Sequence, residues 1–272
     1  RKMAASTLVG RVALITGASS GIGRSTAKLF AQHGASVAVT GRNIEALEGL
    51  VQEITDLGGI ATSFAADITD DDAVARVVES TVNKYGGLNI LVNNAGVLQG
   101  GATGTASMAN WDFNMNTNAR SAFRFMEVSI PHLKKNKSST ESSTSCIVNV
   151  SSVNGQQSFG GCISYCASKA AMDMMTKCAS LDLAVDGIRV NSVNPGVTIT
   201  NLQKTGGLSD EAYDAFIERA INVTHPLAQS RGSVASPEEI ANAILFLSSD
   251  ASSFITGAIL PVDGGRLNLG AR

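Results

Sequence analysis

The sequence predicts an α/β fold in which a seven-stranded parallel sheet is covered by helices on both faces. Short β-branched runs alternate with amphipathic segments from one end of the chain to the other, which is the pattern of a doubly wound sheet. A glycine-rich turn follows the first run directly, as strand-to-helix turns of such sheets often do. The 272 residues are enough for one large domain or two small ones. Because seven strands fit one sheet, we expect one domain over residues 1–272.

The predicted strands are short runs rich in β-branched residues. They cover residues 12–16, 36–40, 62–65, 90–93, 147–150, 189–193 and 259–262. Between the first two runs, residues 22–33 predict a helix that Gly34 ends in the left-handed conformation. We expect Thr69, with Asp72 three residues later, to cap the helix after the third strand. Another capping box is predicted from Ser236, Pro237 and Glu239.

Two segments interrupt the alternation. Residues 134–145 (KKNKSSTESSTS) are polar and serine-rich, which predicts a surface loop within the domain. Residues 200–236 contain a helical stretch at 209–221 and apolar residues such as Leu202 and Phe216. An insertion this long and apolar can fold over a site, so we predict a substrate loop that acts as a lid.

Composition and charge exclude several classes of function. Hydrophobic residues make up 44% and charged residues 16% of the chain, and the net charge is -2, a balance typical of globular proteins. We find no basic run that would favour nucleic acid or an anionic membrane surface. No apolar stretch approaches the roughly 18 residues that span a bilayer. We therefore expect no nucleic-acid partner, no membrane span and, since no secretory leader is recognised, a cytoplasmic location.

Cysteines and histidines do not follow a metal-binding pattern. The cysteines are Cys146, Cys162, Cys166 and Cys178, and no two of them have the two-residue gap of common zinc sites. The three histidines lie far from one another in the sequence. We expect reduced thiols and no metal.

The turn after the first strand has the composition of a phosphate-binding loop. Residues 16–23 have the sequence T-G-A-S-S-G-I-G. Glycines let the backbone turn sharply and approach a pyrophosphate, whose charge is favoured by the amino terminus of the following helix. The spacing G-x-x-x-G-x-G differs from the commoner G-x-G-x-x-G. The loop predicts dinucleotide binding, and a tight turn without a ligand is the alternative.

Tyr165 and Lys169 are four residues apart, so on a helix they share one face. A tyrosine titrates near ~10 and is a poor acid or base at neutral pH unless a nearby positive charge stabilises its phenolate. Lys169 can supply that charge, so the pair predicts proton transfer at one substrate atom. For the pair alone, a core tyrosine beside a solvated lysine is the alternative.

Together these motifs resemble those of the short-chain dehydrogenase/reductase family, and the resemblance extends from Val12 to Gly265. Its further motifs are Asn93, Asn94, Ala95 and Gly96 after the fourth strand, Asn118 seven residues after Trp111, Ser152, and Pro195 with Gly196 after the sixth strand. The resemblance implies a Rossmann-type fold. It also implies an oxidoreductase that moves a hydride between a nicotinamide cofactor and a carbonyl or alcohol.

Catalytic roles follow from the same resemblance. Tyr165 is expected to exchange a proton with the substrate oxygen, and Ser152 to hydrogen-bond that oxygen. Ser152 is preferred to Ser151 because it lies thirteen residues before Tyr165. Lys169 is expected to lower the pKa of the tyrosine and to hold the nicotinamide ribose. Asn118 is expected to hold a water that links the lysine to solvent.

Cofactor contacts are implied at the positions that match the family's motifs. These are Gly17, Ser19, Ser20, Gly21, Ile22, Gly23, Asp67, Ile68, Asn93, Gly96, Tyr165, Lys169, Pro195, Gly196, Thr198 and Thr200. Asp67 and Ile68 are expected beside the adenine ring. An equally suitable role for Asn93 is to hold its own strand, the fourth, in place.

Cofactor choice depends on the end of the second strand. An acidic residue there would bind the adenosine ribose and repel a 2′-phosphate. This chain has Gly41 followed by Arg42. Arg42, helped by Ser19 or Ser20, predicts NADP(H) in preference to NAD(H), and a solvated surface arginine is the alternative.

Selectivity for substrate is expected from residues 99–105, 154–162 and 200–236, whose mixed polarity suits a ketone or secondary alcohol of moderate size. An enoyl reductase is the nearest enzymatic alternative, although that branch usually separates its tyrosine and lysine by six residues and here there are three. A nucleotide-binding regulatory or scaffold protein with the same fold is the other alternative, although the catalytic set is intact.

The resemblance also implies self-association. Helices that begin near Ser107 and Ser164 form the common dimer face in relatives, and residues 255–265 often join a second interface. We expect a homotetramer, or failing that a homodimer.

Overall fold

The computed structural model describes residues 7–135 and 145–270. Parallel strands form one seven-stranded sheet in the order β3, β2, β1, β4, β5, β6, β7. They are β1 Val12–Thr16, β2 Ser36–Gly41, β3 Ile60–Ala65, β4 Ile90–Asn93, β5 Cys146–Val150, β6 Arg189–Pro195 and β7 Ile259–Val262. The predicted fold class is confirmed. The strand order reverses between β1 and β4, which is where sheets of this Rossmann-like type open a crevice at the carboxyl ends of their strands.

Helices connect the strands and cover both faces of the sheet. They are α1 Gly21–Gln32, α2 Ile44–Asp56, α3 Asp71–Tyr85, α4 Met108–Asn114, α5 Ser121–Lys135, α6 Ile163–Asp182, α7 Leu202–Thr205, α8 Asp210–Arg219, α9 Pro226–Arg231 and α10 Pro237–Ser248. A wider π-helical turn at Met115–Arg120 joins α4 to α5, and another at Ala220–Thr224 follows α8. No helix of the described residues is long and apolar enough to cross a membrane.

The two faces of the sheet bury separate hydrophobic clusters. Successive residues of β1 point to opposite faces, so Ile15 packs in the cluster that contains Phe30 of α1, and Leu14 in the one that contains Phe125 of α5. Both phenylalanines are fully buried, and burying each ring contributes about 2 kcal/mol. Burial on both faces explains why central strands such as β1 (VALIT) and β4 (ILVN) are almost entirely apolar rather than alternating.

Most of the predicted helix boundaries agree with the structure. Gly34 follows α1 with φ +89, in the left-handed region that was expected. The capping box of α10 is present, and the Ser236 N–H donates to the Glu239 carboxylate at 2.9 Å. These features place the carboxyl end of α1 and the amino end of α10 where the sequence predicted them.

The predicted cap of α3 by Thr69 is wrong. Asp70 caps this helix, because its carboxylate accepts hydrogen bonds from the Asp72 N–H at 2.9 Å and the Ala73 N–H at 3.2 Å. Thr69 instead donates to Asp67 through its N–H and its hydroxyl. Adjacent residues of the same capping type compete, and the backbone geometry selects one of them.

The segment predicted as a substrate loop contains more helix than expected. The stretch predicted at 209–221 is α8 with the π-helical turn after it, and α7 and α9 lie on either side. Its apolar residues, among them Ala220, Ala228 and Val234, form a small cluster with Val197, which precedes the segment. Of the loop predicted at 134–145, residues 134 and 135 belong to α5, and 136–144 lie outside the described residues.

Candidate active site

The turn between β1 and α1 is clamped by the end of β4. The Asn94 side chain donates to the carbonyl oxygens of Thr16 at 2.8 Å and Gly17 at 3.1 Å. The Thr16 hydroxyl accepts hydrogen bonds from the N–H groups of Asn94 and Ala95, both at 3.0 Å. The glycine loop is therefore held in one conformation by the neighbouring strand.

This turn requires glycine at two positions, because neighbouring atoms leave no space for a side chain. Gly17 has φ +64, and a Cβ there would lie 2.7 Å from the Ala95 Cα. At Gly23 a Cβ would lie 2.4 Å from the Asn94 Nδ2. Ser20 precedes α1 without accepting a side-chain hydrogen bond from its first turn, so the amides at this helix terminus are available to an anion. The turn thus has the close backbone approach and the helix end that a pyrophosphate needs.

The loop after β6 faces this turn. A Cβ on Gly21 would lie 3.2 Å from the Thr200 side chain, so Thr200 stands against the amino end of α1. Thr198 and Ile199 are fixed to the substrate segment by a β-bridge and a 3.0 Å backbone hydrogen bond to Ala235. Of the cofactor contacts predicted after β6, Thr200 therefore lies beside the turn, whereas Pro195 and Thr198 are buried.

The carboxyl ends of β2 and β3 meet beside the same turn. A Cβ on Gly41 would lie 3.7 Å from the Ser19 hydroxyl. Arg42 is exposed, and its charge helps to lower the pKa of Asp67, after the hydrogen bonds from Thr69 to that carboxylate. Ile68 is buried in the core, so Asp67 is the more accessible of the two residues predicted beside the adenine.

The predicted catalytic side chains converge at the carboxyl ends of β4 and β5. Tyr165 and Lys169 lie in the first two turns of α6, both almost fully buried, and the Lys169 Nζ is 5.8 Å from the centre of the Tyr165 ring. Ser152 follows β5, and its hydroxyl is a hydrogen-bond partner of the Tyr165 side chain. The Ser151 hydroxyl turns away and donates to the Lys169 carbonyl oxygen at 3.1 Å. This arrangement supports the choice of Ser152 over Ser151.

The pKa of Tyr165 differs from the expectation. Burial raises it to about 12, and the Ser152 hydrogen bond and the Arg266 charge lower it by less. The Lys169 ammonium, which was expected to lower this pKa, donates to the Val150 carbonyl oxygen at 2.9 Å. Desolvation lowers the pKa of Lys169 itself to about 8. The phenol is therefore held protonated at neutral pH, the state that a proton donor needs.

Asn118 connects the π-helical turn to both sides of the site. Its Oδ1 accepts from the Val97 N–H at 2.8 Å, and its Nδ2 donates to the Val97 carbonyl oxygen and the Ser168 hydroxyl, both at 2.9 Å. A Cβ on Gly96 would lie 3.4 Å from the Lys169 Nζ and 3.5 Å from the Asn118 Oδ1. Asn118 thus lies near the lysine, with its side chain bonded to protein groups.

The Asn93 side chain points into the core rather than into the crevice. Its Nδ2 donates to the Asn149 Oδ1 at 2.9 Å, and the residue is buried. Of the two roles that the sequence left open, this geometry favours the pinning of β4 to β5. Asn94, which the sequence did not single out, is the asparagine that reaches the cofactor loop.

Two buried titratable residues near the site were also missed. His225 is buried, and its Nε2 accepts from the Val197 N–H at 2.9 Å, which fixes the loop after β6. Asp173 lies one turn after Lys169 and accepts from Asn194 at 2.9 Å, while Asn194 also donates to the Ser152 carbonyl oxygen at 2.8 Å. Burial raises the pKa of Asp173 and lowers that of His225.

No group of three or more histidine, cysteine or acidic side chains in the described ranges could hold a metal ion. The four cysteines, all within those ranges, are free thiols. The chemistry of the site therefore depends on the hydroxyl, phenol and ammonium groups already described and on whatever the crevice binds.

Comparisons with known proteins agree with this arrangement. A family model described as enoyl-(acyl carrier protein) reductase matches residues 17–266. The chain is 39% identical over 258 residues to the 3-oxoacyl-(acyl-carrier-protein) reductase FabG of Thermotoga maritima, covering 95% of this chain and 98% of that protein. It is 36% identical over 255 residues to the cyclohexanol dehydrogenase of an Acinetobacter species, covering 93% and 94%.

A solved structure shows the same fold. The crystal structure of a short-chain type dehydrogenase/reductase from Mycobacterium marinum superposes with a TM-score of 0.85 and 32% sequence identity, covering 96% of this chain and 97% of that one. The similarity extends over nearly the whole length of both chains.

Proposed function

Since the chain belongs to the short-chain dehydrogenase/reductase family, and is thus an oxidoreductase of alcohols and carbonyl compounds, we propose that it uses NADP(H) to interconvert a ketone and a secondary alcohol. Tyr165 is the general acid in reduction and the general base in oxidation. The observation that carries this proposal is the convergence of Ser152, Tyr165 and Lys169 at the mouth of the crevice, beside the glycine loop.

The residues of the crevice fit a dinucleotide, because Asn94 holds the β1–α1 turn in one conformation and the first amides of α1 receive no side-chain cap. Its phosphates would contact the turn and the first residues of α1. The residues proposed to hold the cofactor are Gly17, Ser19, Ser20, Gly21, Ile22, Gly23, Arg42, Asp67, Ile68, Gly96, Tyr165, Lys169, Pro195, Gly196, Thr198 and Thr200. Asn93 would act indirectly through β4, and Asn94 joins the set because it fixes the turn.

In the proposed reduction, the substrate carbonyl gains one hydride at carbon and one proton at oxygen. A bound reduced nicotinamide supplies a hydride to the carbonyl carbon. Tyr165 gives its phenolic proton to the carbonyl oxygen, so the C=O bond becomes C–OH and the tyrosine is left as a phenolate. The Ser152 hydroxyl donates to the same oxygen, and the Lys169 ammonium stabilises the phenolate until it is reprotonated. Asn118 would hold a water that passes this proton from solvent.

Arg42 supports the choice of NADP(H). It is exposed at the end of β2 and forms no ion pair with any described carboxylate. A 2′-phosphate on the adenosine ribose would meet this charge, and no acidic side chain occupies the position that repels it. Ser19, close to Gly41, can add a hydrogen bond.

The proposed substrate is a ketone of moderate size. The relatives named above are a 3-oxoacyl-(acyl-carrier-protein) reductase and a cyclohexanol dehydrogenase. Each of these reactions interconverts a ketone and a secondary alcohol. An enoyl reductase remains the alternative because the matching family model carries that description. The three-residue gap between Tyr165 and Lys169 favours carbonyl chemistry. A scaffold protein without turnover is disfavoured because every proposed catalytic side chain is present.

The organisation of the protein is part of the same proposal. We propose one domain over residues 1–272, with residues 200–236 as a substrate loop. A homotetramer is proposed because apolar side chains of α5 and α6, such as Phe123 and Met174, are exposed in the single chain. A cytoplasmic location is proposed because the four cysteines are free, as expected in a reducing compartment.

A substrate panel tests the proposed function. The purified protein is incubated with NADPH and with ketones, enoyl thioesters and aldehydes, and both NADPH consumption and the product are measured. We expect secondary alcohols in equimolar amount to the NADPH oxidised. Consumption only with enoyl thioesters would support the enoyl reductase, and binding of NADPH without turnover of any class would support the scaffold.

A further inference from the structure

Arg266 reaches into the crevice from the far end of the chain. It follows β7, and its Nε donates to the Gln157 Oε1 and its Nη2 to the Asn154 Oδ1, both at 3.3 Å. The guanidinium also lies 5.9 Å from the centre of the Phe159 ring. These three residues belong to the loop that begins immediately after Ser152. Arg266 is therefore part of the wall beside the reacting oxygen.

No carboxylate of the described residues forms a salt bridge with the Arg266 guanidinium, although the charge of Asp263 raises the pKa of this arginine. Its hydrogen-bond partners are neutral amides, and it takes part in none of the ion pairs formed by the described residues. Asp263 is the nearest acid in sequence, but its two oxygens already accept the N–H groups of Gly265 at 2.9 Å and Leu267 at 2.8 Å. Asp263 therefore offsets part of the cost of half-burying this cation, and an anion bound directly to the guanidinium would offset more of it.

The field of Arg266 extends to the catalytic tyrosine. Burial lowers the pKa of this arginine, which indicates that it is withdrawn from water, and its charge lowers the pKa of both Tyr165 and His225. The guanidinium is thus within electrostatic reach of the phenol and of the histidine that fixes the loop after β6. A substrate whose carbonyl lies at Tyr165 would place a nearby substituent against Arg266.

We propose that Arg266 binds the carboxylate of an oxo-acid substrate, and of the corresponding hydroxy acid in the reverse direction. The inference rests on the proposed function and names its substrate class. A guanidinium has five N–H donors in a planar fork that matches a carboxylate, and only two of them are used by Asn154 and Gln157. Phe159, partly exposed next to it, offers an apolar surface to the carbon skeleton. The preferred substrates are therefore ketones with an anionic end and an apolar body.

A purely structural role is the competing explanation. Arg266 could serve only to tie the turn after β7 to the 154–157 segment. In that case its loss would affect charged and neutral ketones equally, because the wall would be disturbed for both. The comparison of two substrates that differ only in charge separates the two explanations, and it does not depend on the fraction of folded enzyme.

The experiment measures kcat/KM with NADPH for two pairs of ketones, 4-oxocyclohexanecarboxylate and 3-oxobutanoate, each against its methyl ester. We expect the wild type to favour the acid of at least one pair by about tenfold or more. Arg266→Met and Arg266→Gln should reduce the acid-to-ester ratio by about tenfold. Arg266→Lys, which keeps the charge and loses the planar fork, should retain only part of it. Arg76→Met is the matched control, because Arg76 is an exposed residue of α3 that pairs with Asp70 at 3.7 Å.

Three outcomes would overturn the inference. Equal or better reduction of both esters by the wild type would remove the preference for an anion while leaving the ketone reductase intact. An equal loss on acid and ester in Arg266→Met would assign the residue a structural role. If neither acids nor esters are reduced, and the wider ketone panel is also inactive, the proposed function fails and the inference fails with it.

Discussion

The protonation states of Tyr165 and Lys169 are determined by burial more than by their mutual attraction. Burial raises the pKa of the phenol to about 12 and lowers that of the ammonium to about 8. Charged forms lose hydration when they are buried, so each group is pushed toward its neutral state. The pair then contains a tyrosine that keeps its proton and a lysine that titrates just above neutral pH.

This arrangement predicts how reduction depends on pH. Lys169 is charged below about pH 8 and can then stabilise the phenolate that forms as Tyr165 gives up its proton. Above that pH the lysine is neutral and the stabilisation is lost, so kcat/KM for ketone reduction should be level near pH 6–7 and fall as the pH rises through about 8. Measurement of kcat/KM between pH 6 and 10 checks this. In Lys169→Arg the fall should move to higher pH, and a wild-type rate that stays level or rises from pH 7 to 9.5 would contradict the assignment.

The predicted preference for NADP(H) also depends on a single residue, Arg42. Replacement by aspartate should remove the attraction for a 2′-phosphate and add a group that accepts hydrogen bonds from a free ribose. We expect the ratio of kcat/KM for NADPH to that for NADH to fall by about tenfold or more in Arg42→Asp, and to change little in Arg42→Lys. Equal efficiency of the wild type with both cofactors would be inconsistent with this role.

The β1–α1 turn is the element on which cofactor binding depends most. It is clamped by Asn94, and Gly17 lies against the β4 end with no room for a side chain. Gly17→Ala should weaken NADPH binding by at least tenfold and destabilise the protein by about 1–3 kcal/mol. Fluorescence titration of NADPH and thermal unfolding measure the two effects.

Gly49 provides a control for that substitution. It lies inside α2, and no atom lies within 4 Å of the position that its Cβ would take. Gly49→Ala should therefore raise stability by about 0.5–1 kcal/mol and leave NADPH binding unchanged. If Gly17→Ala behaved like Gly49→Ala, the turn could not be the phosphate cradle.

The elements differ in how well the sequence predicts them. Strands such as β1 and β4 are almost continuous apolar runs, so their existence follows from pattern alone. The choice between Thr69 and Asp70 as the α3 cap depends on backbone angles that adjacent residues of the same type do not distinguish. The sequence therefore predicts elements well and their exact ends less well.

The catalytic site is also only partly predictable from the sequence, because several of its residues come from distant segments. Tyr165 and Lys169 share a helix face, so their proximity follows from spacing. Asn94, His225 and Arg266 act through contacts between segments that are far apart in the chain, and only the assembled sheet brings them to the crevice. The sequence also does not predict that the pKa of Tyr165 is raised, because this shift comes from burial of the side chain by the whole fold.

Self-association is the prediction that belongs to the whole molecule. Phe123 on α5 and Met174 on α6 are more than half exposed in the single chain, and large apolar side chains that are exposed together mark interaction surfaces when they form one patch. Sedimentation velocity should give a species of four times the 28.1 kDa chain mass. Phe123→Asp and Met174→Asp should reduce that mass, whereas Leu57→Asp, at an exposed apolar residue after α2, should not. A wild-type monomer at micromolar concentration would refute the interface.

The most direct test of the account compares Tyr165 with a second, partly buried tyrosine in the same assay. Tyr165→Phe removes the proposed proton donor, while Tyr85→Phe removes a phenol that donates to the Thr62 hydroxyl at 2.8 Å, away from the crevice. With NADPH and the best ketone of the panel, kcat/KM should fall by about 10²- to 10⁴-fold in Tyr165→Phe and stay within about twofold of the wild type in Tyr85→Phe. Activity of Tyr165→Phe equal to that of the wild type would contradict proton transfer by this residue.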